Sequence, residues 1–370
     1  MTTGTPTVLD RRTLNRALLA RQSLLERTTA SVSDVLEHLV GMQAQAPNPP
    51  YLGLWTRIAG FRLDDLAELV RQRQAVRLVL MRGTIHLVTA RDCLALRPVL
   101  HTALARGLIS AFGRRLNGLD LAEVAAEGRR LVEAEPLTLG ELGKRLAERW
   151  PDRDAFALAN TVRALEPLVQ VPPRGLWGES GQAAHTTAET WLGGPLSADD
   201  CAREVVRRYL AAFGPATVAD MQTWSGMTRL AAVFKDLRPE LAVLHDEEGR
   251  ELFDLPDAPR PGPGAPAPVR LLPEFDNILL SHADRTRILT DEQRRLIITR
   301  NGLVKSTFLV DGFVAGTWRI DRKKKTATLV LEPFAPVKAA DRKALAEEAE
   351  SLLATAAADA DTRDIRFETP

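Results

Sequence analysis

Three stretches of this 370-residue chain open a helix with the same device, a hydroxyl residue followed three positions later by an acid. Ser31-Val32-Ser33-Asp34 leads into Val35, Leu36, Leu39 and Val40. Thr138-Leu139-Gly140-Glu141 leads into Leu142 and Leu146, and Thr217-Val218-Ala219-Asp220 into Met221 and Trp224. The hydroxyl accepts from an orphan N–H of the first turn, and the acid suits the positive helix end. Each start follows an amphipathic helical pattern, at roughly 9–25, 120–134 and 198–212. After each come another helix and a hairpin candidate, Ala75–Val88, Leu168–Thr187 and Leu241–Leu255. The last hairpin turns through Asp246-Glu247-Glu248-Gly249, a favourable turn sequence. Helix, capped helix, helix and two-stranded wing is the winged helix-turn-helix unit. One capping box is common and would fit any helix. Three in the same order constrain the fold far more, although three unrelated helix–strand units compete with that reading.

Pro256 to Pro268 is too rich in Pro and Gly for helix or sheet and reads as a stiff linker or exposed loop. Beyond it lie the β-rich runs Val269–Leu272, Val304–Val310, Phe313–Ile320 and Thr326–Leu331, then a helix from about 339 to 356. Asp311-Gly312 fits a two-residue hairpin turn. These strands suggest a small β-barrel or curled sheet. The expected fold class is α+β: about three tandem winged helix-turn-helix domains at 8–115, 116–195 and 196–256, a linker at 257–268, and a C-terminal small β-barrel with a hairpin and a helix at 269–370.

The formal net charge of +1 gives no global basic signal, but its distribution does. Residues 1–120 hold 16 Arg, no Lys and 9 acids, a net of +7. Arginine suits phosphate through its planar fork of donors, so a basic first third fits a protein with one charged face. Cys93 and Cys201 are the only cysteines and read as buried thiols in helices, not as a disulfide or zinc site. No apolar run is long enough for a membrane span, and no signal-peptide pattern is present. The expectation is a reduced, cytoplasmic chain. P-loop, dinucleotide-binding and His-rich metal patterns are absent, so no cofactor and no metal are expected.

The segment after the first capped helix is His38-Leu39-Val40-Gly41-Met42-Gln43-Ala44-Gln45-Ala46-Pro47. Pro47 pushes Ala46 toward an extended backbone, and Gly41 weakens the helix before it. In an extended run Gln43 and Gln45 would share one face with Ala44 turned inward. In a continuing helix they would sit about 200° apart. Two neutral amides on one face can hold and orient a water. Surface glutamines at a frayed helix end are the plainer alternative.

This Gln-apolar-Gln segment resembles the motif of the AlkZ-like DNA glycosylases, relatives of the YcaQ-like glycosylases. Further matches are Met81-Arg82-Gly83-Thr84-Ile85-His86-Leu87-Val88, Leu272-Pro273-Glu274-Phe275-Asp276-Asn277, Ser281-His282-Ala283-Asp284-Arg285, and Val310-Asp311-Gly312 through Gly316-Thr317-Trp318. They run from about residue 10 to 335, in order. The YcaQ-like branch carries aspartate at the second motif position; Gln45 places this chain with the AlkZ-like branch. The resemblance implies a monofunctional DNA glycosylase, with Gln43 and Gln45 as the catalytic residues, acting as a monomer on double-stranded DNA that carries alkylated purines. Breaking an N-glycosidic bond builds oxocarbenium-like charge on the sugar. An N7-alkylated purine is already cationic and leaves without an acid, so amides that place water suffice. The AlkZ-like branch acts on bulky adducts and interstrand crosslinks left by alkylating natural products, and gives producing bacteria self-resistance. A crosslinked base cannot readily be rotated into a closed pocket, so an open, C-shaped channel is expected.

The expected DNA-binding residues are Arg82, at the tip of the first wing, and Arg322, Lys323, Lys324 and Lys325, in a turn between two β runs. In that turn Asp321 is the one acid in sequence, and phosphates would neutralise the cluster; a solvated turn is the alternative. His86, Asp276, His282 and Asp284 read as structural, with Asp276 the carboxylate to suspect if the glutamines were dispensable. The competing function is a noncatalytic winged-helix DNA-binding protein or regulator, with a protein-interaction scaffold behind it.

Overall fold

The computed structural model describes residues 7–199 and 201–369. All three capped starts form. Ser31 Oγ accepts from the Asp34 N–H at 3.1 Å and opens the helix Val32–His38. Thr138 and Thr217 close full capping boxes with Glu141 and Asp220 and open Leu139–Arg149 and Val218–Ser225. The preceding helices are Arg11–Arg21, Leu121–Ala134 and Ala202–Phe213. Asp200, within the expected 198–212 span, lies outside the described residues. The hairpins follow as Ala75–Val79 with Ile85–Thr89, Leu168–Gln170 with Ala184–Thr187, and Ala242–Asp246 with Glu251–Asp254.

The first two hairpins are not separate wings. Arg77 pairs with Gln170 and Leu78 with Val169, which joins them into one antiparallel six-stranded sheet. Met42–Gln43 forms one edge of that sheet and Leu137–Thr138 the other. The third hairpin gains a parallel strand, Val8–Leu9, from the start of the chain. A 27-residue helix, Ala90–Leu116, backs the first unit and sends Leu96, Leu100 and Leu104 into the core beside Val76 and Val88.

The C-terminal strands Arg270–Leu272, Thr307–Val310, Phe313–Lys323, Thr326–Pro333 and Thr362–Phe367 pair in chain order. They make an open five-stranded sheet, not the expected barrel. The last strand runs parallel to Thr326–Pro333 after a helical crossover and does not return to Arg270–Leu272. Closure is not needed to hide the apolar face, because the helix Ala339–Ala356 covers it. Leu345, Leu352 and Leu353 pack with Leu271, Phe308, Trp318 and Leu331. That core is continuous with Leu36, Leu39, Leu54 and Trp55 of the first unit.

The Pro/Gly-rich segment is an irregular, largely exposed run held from behind by the first helix. Arg12 Nε donates to Pro263 O at 2.8 Å, Arg16 Nε to Ala265 O at 2.7 Å and Arg21 Nε to Pro259 O at 3.2 Å. Arg12 and Arg16 also reach Asp311 in the Asp311-Gly312 turn. Of the two thiols only Cys93 is buried; Cys201 is exposed, because it sits at the cap of Ala202–Phe213 and not inside the helix.

Candidate active site

The capped helix Val32–His38 must stop for the glutamine segment to extend, and two residues of positive φ stop it. Val40 has φ 54° and Gly41 φ 88°. A Cβ on Gly41 would lie 2.5 Å from Val88 Cγ1 and 3.0 Å from Leu87 O, so only glycine lets the chain lie down against the wing here. Met42 then pairs with Leu87 and Gln43 with His86. The Ala44 N–H donates to Ile85 O at 2.7 Å, and the Ala44 side chain is fully buried. Ala44 is therefore the inward residue of an extended run, with a glutamine on each side of it.

The two amides are anchored differently. Gln43 is buried, and its Oε1 accepts from Arg82 Nη2 at 2.8 Å. Gln45 is exposed, and its Oε1 accepts from the Ile85 N–H at 2.8 Å. A guanidinium and a backbone N–H can only donate, so these partners settle which end of each amide is oxygen. One lone pair on each oxygen and both N–H donors on each nitrogen remain to be used.

Arg82 turns inward, not outward to solvent as expected for a wing-tip phosphate contact. It occupies a tight turn at φ 58°, and its guanidinium is shared between Gln43 and the carbonyl of Trp224. Burial and the Arg285 cation draw its pKa down to about 10, which leaves it charged at neutral pH. His86, across the strand from Gln43, donates from Nδ1 to Thr84 O at 3.0 Å. Burial, then Arg82, push its pKa down to about 3, so it stays neutral. The amides thus sit beside one fixed cation and a non-basic imidazole, and neither accepts from an acid.

The motif strand is braced on its other sides. Asn277 Nδ2 donates to Gly41 O at 2.9 Å, and Arg77 donates to Ala44 O. Asp276 is spatially close but committed: both its oxygens take Arg57 at 2.8 Å, and both side chains are fully buried. His282 bonds Phe213 O and Ser281, and Asp284 pairs with Arg250 at 2.7 Å.

The chain leaving Gln45 forms one wall of a cleft of about 1220 Å³, through Ala46 to Pro49 with Trp177. Trp318, Ile320 and Arg322 of the five-stranded sheet form the opposite wall. Arg322 is not free: it pairs with Asp359 at 2.8 Å and bonds Ala356 O at 2.6 Å. Asp359 is the acid that the sequence around the turn did not reveal. Lys323, Lys324 and Lys325 are exposed at the turn beyond, and none makes an ion pair among the described residues. Glu274, exposed at the surface, also lines the cleft, and desolvation by the surrounding protein raises its carboxyl pKa. Sequence reasoning passed over Glu274 for its neighbour Asp276, although both lie in the same motif. Arg57, Arg77 and Asn277 were missed as well, since nothing in sequence ties residues so far apart to the glutamines.

A sheet-braced pair of amides thus stands beside the cleft that opens at Ala46. A family model described as DNA glycosylase AlkZ-like matches residues 36–355, and the chain belongs to that family. The interstrand DNA cross-link repair glycosylase of Streptomyces sahachiroi is 28% identical over 350 residues, spanning 88% of this chain and 92% of that protein. The solved structure of Streptomyces sahachiroi DNA glycosylase AlkZ has the same fold, with a TM-score of 0.80 at 23% identity, over 98% of this chain and 100% of that one. Among the described residues, no group of three His, Cys, Asp or Glu lies together as a metal site would require, and no helix is long and apolar enough to cross a membrane.

Proposed function

We propose that the protein hydrolyses the N-glycosidic bond of cationic N7-alkylpurines in double-stranded DNA, bulky adducts and interstrand crosslinks among them. The observation that carries this reading is the anchoring of Gln43 and Gln45 by donors through their oxygens, beside a neutral His86. Such a pair can hold a water but offers no strong base and no acid at neutral pH. The bond from C1′ to the purine nitrogen breaks with its electron pair going to the base. A base that is already cationic leaves neutral; an unmodified base would leave as an anion and needs help that this pair does not give. Water adds to C1′ as the oxocarbenium charge develops, and its proton passes to solvent. The buried Gln43, fixed by Arg82, and the exposed Gln45, fixed by the sheet edge, would hold that water from two sides.

The inclusion of crosslinks draws on the printed name of the Streptomyces relative and on the volume of the cleft. Three winged units, bounded near 8–115, 116–195 and 196–256, would line a C-shaped channel for one monomer on the duplex. Lys323, Lys324 and Lys325, with Arg322 behind them, would meet phosphates from the C-terminal side.

Base release from duplexes carrying N7-methylguanine, an N7-linked crosslink or uracil tests the reading. The two alkylated duplexes are expected to lose base and the uracil duplex to stay intact. Gln43→Ala and Gln45→Ala should each slow release by roughly 10²–10³-fold, as loss of one positioned polar group does, with duplex affinity unchanged. Comparable uracil release, or full activity in both variants, would overturn it.

A further inference from the structure

Gln45 lines a recess of about 390 Å³ that is distinct from the cleft. Its walls carry Arg77, Arg163 and Arg174, and the opening turn of the helix Leu139–Arg149. No Asp or Glu lines it, and none of the three arginines makes an ion pair among the described residues. Arg77 is 3% exposed, yet its Nε and Nη1 have no hydrogen-bond partner. Unpaired donors of a buried cation are strongly unfavourable. Burial and the neighbouring Arg174 draw the Arg77 pKa down to about 10, which leaves it charged at neutral pH, and burial lowers that of Arg163. His185 adds no charge, since burial and Arg163 push its pKa down to about 4.

The helix end is open as well. Thr138 Oγ caps only the Glu141 N–H, and the Glu141 carboxylate folds back onto Thr138. The N–H groups of Leu139 and Gly140 belong to the first turn and have no intrahelical acceptor. Three converging cations, unpaired buried donors and a helix N-terminus select a tetrahedral anion.

We propose that this recess grips one phosphodiester of the DNA strand, immediately beside the nucleotide presented to Gln45. This rests on the reading of Gln45 as part of the reacting site. It differs in kind from the lysine turn. An exposed turn adds sequence-independent affinity, whereas a half-enclosed grip sets which nucleotide stands over the glutamines.

The test uses Arg163→Gln/Arg174→Gln in the full chain, sparing Arg77 because it also braces Ala44. Melting is followed against inorganic phosphate at constant ionic strength; the parent should be stabilised and the double variant should not. Duplexes with one neutral methylphosphonate at successive linkages around an N7-methylguanine are then scored for binding and for base release. One linkage should weaken parent binding roughly tenfold or more when neutralised, and that penalty should vanish in the double variant. Equal tolerance at every linkage, equal penalties in both proteins, or equal protection of both by phosphate would overturn the proposal. If the parent releases no base from any duplex, the catalytic reading of the glutamines fails, while the binding scan still scores the phosphate grip.

Discussion

Replacing Arg82 with methionine separates a positioning role from a phosphate contact. The side chain keeps its length but loses the bond to Gln43 Oε1, 2.8 Å long, and the bond to Trp224 O. Gln43 is 6% exposed, so water cannot freely replace the lost donor. A hydrogen bond from a charged donor contributes about 1.5–3 kcal/mol. If that much of the amide's preference for its aimed orientation is lost, the aimed fraction falls roughly ten- to hundredfold. Single-turnover base release from an N7-methylguanine duplex at saturating enzyme should slow by that factor. Duplex affinity should stay within about twofold, and the slope of log K against log salt should not change, since no phosphate contact has been removed. Arg82→Lys should fall between, because one ammonium replaces a fork that serves two acceptors. The opposite pattern refutes the argument: an unchanged single-turnover rate with weaker binding and a salt slope shallower by about 0.9 would make Arg82 a phosphate ligand.

Acidification should destabilise the fold through buried histidines. His86 and His185 have pKa values pushed down to about 3 and about 4, while the unfolded chain takes up these protons near 6.5. Their contribution is therefore intact above about pH 6.5 and drains by roughly 1.4 kcal/mol per group per pH unit below it; a melting temperature flat from pH 7.5 to 4.5 would contradict this. Alanine at Lys323, Lys324 and Lys325 together should weaken duplex binding and flatten the salt slope by about 0.9 per lost contact, with the melting temperature unchanged; parental binding at every salt concentration would leave the turn a solvated loop. Asp276→Asn leaves the fully buried Arg57 without its counter-charge, so stability should fall by about 3–5 kcal/mol; denaturant titration giving a parental midpoint would remove the ion pair from the account of what braces the motif.

The elements with a local signal were legible in sequence. Ser31, Thr138 and Thr217 cap where the hydroxyl–acid spacing puts them, and the helix Ala339–Ala356 falls within the expected span. Thr89 and Asp92 carry the same spacing, and Thr89 caps the helix Ala90–Leu116, which runs well past the helical pattern around Cys93. Extension of the glutamine segment followed from Gly41 and Pro47. Fusion of the first two wings was not legible, because the Arg77–Gln170 pairing has no pattern of its own beyond two ordinary strands. The open C-terminal sheet depends on where Thr362–Phe367 docks, and that strand alternates weakly and is mostly exposed. The direction of Arg82 was hidden for a similar reason. A turn predicts that a side chain is near the surface, not that it folds back onto a neighbouring unit.

The bonds that pin the first helix to distant chain have a consequence during synthesis. Arg12, Arg16 and Arg21 find their carboxylate partners at Asp254 and Asp311, and Arg57 finds its at Asp276. At about 5–20 residues per second, the ribosome delivers those acceptors tens of seconds after the arginines have emerged. Until then the first unit carries cations without counter-ions, and a glutamine strand lacking its Asn277 brace. The nascent protein should therefore protect its N-terminal amides late, in one step with the C-terminal sheet, and ribosome-stalled chains ending before residue 254 should remain open to proteolysis at the first helix.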